Sequence, residues 1–392
     1  VDIVAQRFAW PDAIERALII AVCIGFFVAL LLAWYHGDRG AQKVSGTELA
    51  ILALLLAIGG AFLWRFSRLP VAATAISTTS ATTPALAATS ARADIPAKSI
   101  AVLPLVNESA DKSQQYFSDG LSEEMISALG QVHDLKVIGR NSSFQFRGDA
   151  QNDSAGIGAK LSVATLLEGP VRRQGDQVRI VASLIRAADG SQIWSHTYER
   201  QLKDVFAMQS DIATSVATAL KAGVFGQSIE ATDKPPNGNL DAYDAMLQGR
   251  YYAERRTRPD YFKAQQYYQR AIDLDPDYAL VYARMSIAEQ WFTDWEAKAG
   301  EREIASASAR AHAHMAVELA PRSATALGAL GVTQAWSDFN FAAAETTLKK
   351  AVALDPSNAE TLYQLADVTA ALGREEDAIG MMRKALTMEP LN

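Results

Sequence analysis

A six-residue phrase that returns four times in the last third of the chain limits what this sequence can fold into. Each copy begins with alanine and ends with proline, and the prolines lie 45, 35 and 34 residues apart. A period of about 34 with an alanine before a helix-ending proline is typical of a repeated helix–turn–helix unit. Such units stack into an array whose concave face binds other proteins. The four copies occupy 271–276, 316–321, 351–356 and 385–390.

The apolar residues of the chain are concentrated near its N-terminus. Residues 17–35 contain no charged side chain, and a second apolar run within 48–66 is flanked by Glu48 and Arg65. Runs of this length cross a bilayer as helices. We therefore predict a membrane region over 1–70 with spans 17–35 and 48–66, and membrane lipid as a partner. The alternatives are two buried core helices or a cleaved signal peptide, and the doubled run disfavours the latter.

Charge and cysteine content exclude several kinds of site. Lys and Arg number 37 against 44 Asp and Glu, which gives a net charge of −7. Because a duplex-binding surface is normally basic, nucleic acid is not expected as a partner. The single cysteine, Cys23, excludes a disulfide within the chain and a multi-cysteine zinc site. Since Val1 is not a methionine, we expect the chain to be part of a longer protein.

The middle of the chain begins with a linker and continues with an α/β pattern. Residues 71–97 are rich in Ala, Ser and Thr and lack aromatic residues, which predicts a flexible linker. Strand and helix periods then alternate over 98–227 in the predicted order βαβαβββα. The last three strands form a meander with Gly-containing turns near 175 and 190.

Several segments of this α/β region resemble the TolB-like N-terminal domain of bacterial membrane proteins. In proteins of this kind, the domain stands beside tetratricopeptide repeats and follows an adenylate cyclase or a winged-helix module. The resemblance implies a sensory or assembly role. It also implies an inner-membrane protein whose soluble domains are periplasmic, if one further span precedes Val1. The segments are 99–105, 116–124, 137–144, 167–173, 193–200 and 205–209.

After a second predicted linker at 228–240, residues 241–392 resemble about four tetratricopeptide (TPR) repeats. The third and fourth match best, and the second is stretched over 293–303. The first helix of each repeat should line the concave face, where we predict protein binding. For Tyr363, burial between repeats is an equal alternative. Because no polar capping helix closes the array, we expect further repeats to follow. The predicted lining residues are Ala283, Ile287, Gly328, Val332, Tyr363 and Asp367.

The sequence predicts no catalytic, metal-binding or cofactor-binding site. His312 and His314 lie two residues apart, so on a helix they point to different sides. Residues 156–160 lack the ending of a phosphate loop. The arginines and tyrosines of 250–262 suggest nucleic-acid stacking, but neighbouring acidic residues favour a solvated turn. Glu168 is either a functional buried carboxylate or the partner of a nearby arginine.

The sequence therefore predicts a multi-domain fold with two N-terminal transmembrane helices, an α/β TolB-like domain and an all-α TPR solenoid. The predicted function is that of a membrane-anchored, non-catalytic signalling or scaffold protein that binds a protein partner through its TPR groove. The alternative is the sensory C-terminal half of an adenylate cyclase or of a winged-helix transcriptional regulator, with the effector module upstream of Val1.

Overall fold

The structure is a computed structural model that describes residues 95–222 and 234–392. The membrane region predicted at 1–70, residues 71–94 of the linker predicted at 71–97, and the segment 223–233 lie outside these residues. All described residues belong to one compact unit, Ala88–Asn392. The domain boundaries expected from the sequence stay predictions.

A seven-stranded mixed sheet forms the first part of the described chain. Its strands are β1 (Ser99–Val102), β2 (Val106–Asn107), β3 (Lys136–Ile138), β4 (Thr165–Glu168), β5 (Pro170–Gln174), β6 (Gln177–Arg186) and β7 (Gln192–Gln201). They follow the order β2-β5-β6-β4-β1-β3, and β7 pairs with β6. β1 is parallel to β3 and β4, whereas β6 is antiparallel to β4, β5 and β7, because short turns join these last strands.

Gly169 separates β4 from β5, which otherwise form one bent strand along β6. Its φ is +146°, and a Cβ at this position would lie 1.8 Å from the carbonyl oxygen of Val181. Only glycine fits such a close approach of two backbones. The bend therefore depends on this residue.

Helices cover both faces of the sheet. Helices α1 (Gln115–Gly130) and α4 (Val205–Ala219) share one face, and α3 (Ser154–Leu161) packs on the other. A short helix, α2 (Arg140–Ser143), follows β3 and was not predicted. The alternation predicted for β6 is present, because every second residue is buried beneath α1 and α4. These residues are Val178, Ile180, Ala182 and Leu184.

Eight helices fill residues 240–388 and pack as four consecutive pairs. The pairs are α5 (Leu240–Ala253) with α6 (Arg258–Leu274), α7 (Ala279–Trp295) with α8 (Ala299–Leu319), α9 (Ala324–Trp336) with α10 (Phe341–Leu354), and α11 (Ala359–Ala371) with α12 (Glu375–Met388). The C-terminal region is therefore mostly helical and TPR-like. The stretch predicted at 293–303 lengthens α7 and α8 on both sides of a short turn at 296–298, and α8 reaches 21 residues.

Small residues let the helices of a pair approach each other. A Cβ on Gly249 of α5 would lie 2.4 Å from the ring of Tyr268 on α6, and one on Gly331 of α9 would lie 2.6 Å from Leu348 on α10. The alanines of the repeated phrase are buried for the same reason. Their exposed fractions are 0% for Ala271, Ala316 and Ala351, and 5% for Ala385.

The prediction of membrane spans needs correction. Among residues 95–222 and 234–392, no helix combines the length and apolar composition that a bilayer crossing requires. The fold class is therefore corrected to a small sheet domain followed by a mostly helical region. The membrane anchor, the inner-membrane location with periplasmic domains and the lipid partner are corrected with it. The spans predicted at 17–35 and 48–66 themselves lie outside the described residues.

The helical region touches the sheet domain at both of its ends. At the first end, α5 packs on α1, and the two helices share a hydrophobic core with α4. At the other end, the backbone N–H of Gly139 donates to the carbonyl of Met388 at 2.9 Å. We call residues 388–391 the return segment. The four helix pairs are thus held between two attachment points on the same sheet domain.

Candidate functional site

Four of the six predicted lining residues are accessible. Ile287 on α7 and Tyr363 on α11 are 39% and 37% exposed. Val332 on α9 and Asp367 on α11 are half-buried. Burial, together with the nearby carboxylate of Glu360, raises the pKa of Asp367. These residues lie on the first helices of three successive pairs, and their role in binding stays a prediction.

The other two predicted lining residues have a packing role. Ala283 is fully buried, and Gly328 is buried beside Thr361 of the next repeat. Neither position can offer a side chain to a partner, because Ala283 is buried and Gly328 has none. Small residues at these positions let neighbouring helices approach each other. Ala283 shares its cluster with Ala313, Ala316, Ala326 and Ala329.

A small cavity lies beside Ile287, between α5, α6 and α7. Its volume is about 60 Å³, and Ile287, Ala288 and Trp291 supply the wall on α7. Tyr261 and Tyr268 of α6 close its floor, and burial raises the pKa of both hydroxyls. The cavity therefore joins an apolar wall to buried phenol groups. Tyr363 is not part of it.

Arg284 brings a cation to this cavity. Its Nε atom is buried and has no hydrogen-bond partner among the described residues. Unsatisfied buried donors are rare because each costs about 1–3 kcal/mol. Arg284, Ile287 and Trp291 share one helix face, since they lie three and four residues apart. That spacing was visible in the sequence, but the sequence prediction included only Ile287.

A buried ionic network joins α1 to α5 near the cavity. Arg250 Nε lies 3.1 Å from Glu123 Oε2, and Arg140 Nε donates to Glu123 Oε1 at 2.8 Å. Burial pushes the pKa of Glu123 upward, but Arg250, Arg140 and, to a smaller extent, Arg284 hold it below its ordinary value. Arg140 also lies 3.1 Å from Glu254 at the end of α5. The interpretation of Arg250 as part of a solvated turn was therefore wrong.

A second polar cluster stabilises the same interface. The hydroxyl of Tyr243 on α5 donates to the Glu124 carboxylate at 2.7 Å, and Gln209 of α4 donates to both groups. At the rim, Asp244 accepts hydrogen bonds from Tyr116 at 2.9 Å and from Arg173 at 2.6 Å. Helices α1 and α4 and strand β5 therefore hold α5 in one orientation. The cavity wall that α5 supplies is fixed in the same way.

Of the remaining polar candidates, His312 has a structural partner and Glu168 is a partly buried carboxylate. His312 and Ser308 of α8 both bind the buried carboxylate of Glu289, at 2.8 and 2.6 Å. They hold α8 against α7, because both groups meet the same carboxylate. Glu168 has a pKa raised by burial. Its suggested arginine partners bind Glu108 and Asp244 instead. Within residues 95–222 and 234–392, no group of three potential metal ligands comes together.

Part of the chain is similar in sequence to a curated protein. No protein-family model matches the chain. Over 194 residues, or 49% of this chain, it is 34% identical to a Rhizobium meliloti (strain 1021) protein named "Putative adenylate cyclase 3". The match covers 33% of that relative, so the chain spans about a third of its length. The resemblance to the TolB-like domain stays a prediction.

Solved structures show weak similarity. A thermophilic TPR protein of Thermus thermophilus is 20% identical with a TM-score of 0.34, over 47% of this chain and 86% of that one. The lipoprotein GNA1162 of Neisseria meningitidis is 16% identical with a TM-score of 0.24, over 32% of this chain and 99% of that one. Both TM-scores are low, and the fold described above follows from the contacts within this chain.

Proposed function

We propose that this chain is a non-catalytic scaffold whose helical region binds an extended segment of a protein partner along α7, α9 and α11. The observation that carries this proposal is the exposed apolar side chain of Ile287 beside a cavity that holds an unpartnered buried Arg284 Nε. A partner segment would bury the isoleucine, and burial of this apolar side chain favours binding.

The sheet domain has a sensory or assembly role in this proposal. It holds α5 through the Glu123 and Glu124 networks and holds the end of the array through the return segment. A surface whose supports are rigid loses less conformational entropy on binding. The sheet domain therefore acts as a rigid support for the helical region.

Selection from a random peptide library displayed on phage, with the full chain as bait, tests the binding proposal. Peptides that bind the wild-type chain should lose binding to Ile287→Asp and Tyr363→Asp. They should retain binding to Thr346→Asp, a matched change on the exposed surface of α10. The proposal fails if no peptide is enriched, or if the enriched peptides ignore both groove variants.

The relative from Rhizobium meliloti favours a second candidate. In this candidate the chain is the regulatory part of a longer protein with adenylate cyclase activity, and the effector module lies upstream of Val1. The identity of 34% over 194 residues supports it. The coding sequence upstream of Val1 should then encode a module that forms cyclic AMP from ATP. The chain alone should form none, and cyclic AMP from the chain alone would contradict the non-catalytic proposal.

A further inference from the structure

Strand β7 has an unprotected edge. It is ten residues long, and among the described residues it pairs only with β6. Ser195, His196 and Thr197 are exposed in succession, so neither face is covered at the centre of the strand. Natural edge strands usually carry proline, lysine or a central bulge that prevents pairing with another chain. β7 contains neither residue, and the irregularity in its pairing lies opposite Leu184 and Ile185, near its start.

A cavity of about 540 Å³ opens between β7 and α4. Its strand wall is a row of rings in which Trp194 stacks on His196 at 6.3 Å and His196 meets Tyr198 edge-on at 4.6 Å. The helix wall contributes short polar side chains. They are Ser210, Asp211, Thr214 and Ser215. A strand added to β7 would send every second side chain into this space.

We propose that β7 pairs antiparallel with β7 of a second copy of this chain, with Thr197 opposite Thr197 on the two-fold axis. Two sheets then become one continuous sheet, and the ring rows of the two copies lie side by side on the face that carries α4. This inference deepens the assembly role proposed for the sheet domain and rests on that role. It does not depend on peptide binding by the helical region.

The pairing of side chains supports a second copy as the occupant. In this register, Arg200 of one copy faces the Trp194 ring of the other, a favourable cation–π arrangement. On the opposite face, Glu199, whose carboxylate lies 3.4 Å from Arg179 of β6, faces the hydroxyl of Ser195, which bonds Ser183 of β6. Each pair occurs twice, and no like charges stand opposite each other. A two-fold at His196 instead places Glu199 opposite the apolar side chain of Ile193, which is a poorer match.

The outward face of α4 allows two copies to approach. Ala207, Asp211, Thr214 and Thr218 lie there, and none of them is longer than aspartate. Within the described residues, neither Arg200 nor Asp211 makes an ion pair that pairing would have to break. Joining two edges also satisfies the outward backbone groups of both strands at once.

Crosslinking tests the register. In the full chain with Cys23→Ser, a Thr197→Cys variant should form a covalent dimer with a short bis-maleimide, because directly opposite Cβ atoms lie about 4.5–5.5 Å apart. Ser113→Cys, at an exposed position far along the chain, is the matched control and should stay monomeric. Absence of a crosslink at 197, or equal crosslinking at both positions, overturns the proposed register.

Light scattering over a wide range of protein concentration tests the dimer itself. Thr197→Lys sets two ammonium groups against each other and should weaken dimerisation about tenfold. Thr197→Val preserves the branched shape and should leave the dimer intact. A wild-type chain that stays monomeric, or a dimer that Thr197→Lys leaves unchanged, refutes the inference. The Ile287→Asp variant should dimerise normally. A failure of the peptide-binding proposal can therefore be told apart from a failure of the dimer proposal.

Discussion

The carboxylate of Glu389 accepts a hydrogen bond of 2.7 Å from the backbone N–H of Ser142, although 247 residues separate the two in sequence. Its second oxygen accepts from the N–H of Asn141 at 3.0 Å. Leu391 adds a bond from its own N–H to the hydroxyl of Ser142 at 3.0 Å. The last helix pair is thereby fixed to the start of α2, so the helical region has two attachment points.

Replacing Glu389 should release the return segment without unfolding the sheet. In Glu389→Ala, two backbone donors lose their acceptor, which costs about 1–3 kcal/mol each when they stay buried. Amide hydrogen exchange should become faster at 139–143 and 388–391 and stay unchanged in β6. Glu376→Ala removes an exposed carboxylate of α12 and serves as the control. Equal exchange in the two variants would show that the contact is not a restraint.

The Arg250–Glu123 pair should be necessary for the junction between α1 and α5. Arg250→Met keeps the apolar stem but leaves Glu123 buried with one arginine fewer, and we expect a loss of about 3–5 kcal/mol in the free energy of unfolding. Urea denaturation measures the loss. Arg255→Met, at an exposed position of the turn that follows α5, should change stability by less than about 0.5 kcal/mol. Similar losses in both variants would contradict the role of the buried pair.

The contribution of Glu123 to the free energy of unfolding should decrease as the pH falls. Its pKa in the folded chain lies below the ordinary value of 4.5, so the folded state favours the ionised form. The stabilisation is therefore present above about pH 4.5 and is lost as the pH falls through the lower folded value. Urea midpoints of the wild type and Glu123→Gln should differ most at neutral pH and converge in acid. A difference that stays constant with pH would contradict this assignment.

Two glycine substitutions should have opposite effects. Gly249→Ala places a methyl group 2.4 Å from the ring of Tyr268, and overpacking of this kind costs about 1–3 kcal/mol. At Gly380 of α12, a Cβ meets nothing within 4 Å, so Gly380→Ala should stabilise the helix by up to about 1 kcal/mol. Thermal unfolding compares the two. A destabilised Gly380→Ala would show that a neighbouring group occupies the space beside this position.

Local spacing was sufficient to predict the helix pairs and the alternation of β6. The repeated alanine and the helix-ending proline act within one or two turns of a helix, so Ala271 and Ala351 could be assigned to pair contacts from their spacing alone. Ile287 was predicted as accessible by the same periodicity, whereas for Tyr363 burial between repeats was an equal alternative; its side chain is 37% exposed. The prediction of membrane spans came from hydropathy alone, and no described helix supports it.

Tertiary structure decided the features that join distant parts of the chain. Ala283 has the same local pattern as an exposed position but is buried by α8 of its own pair and by α9 of the next repeat. Arg250 is buried only because Glu123, on α1, neutralises its charge. No pattern near Ser142 indicates Glu389 as its partner. Periodicity indicates which face of a helix or strand is apolar. The partner of a buried charge depends on contacts between segments far apart in the chain, and local sequence patterns do not indicate these contacts.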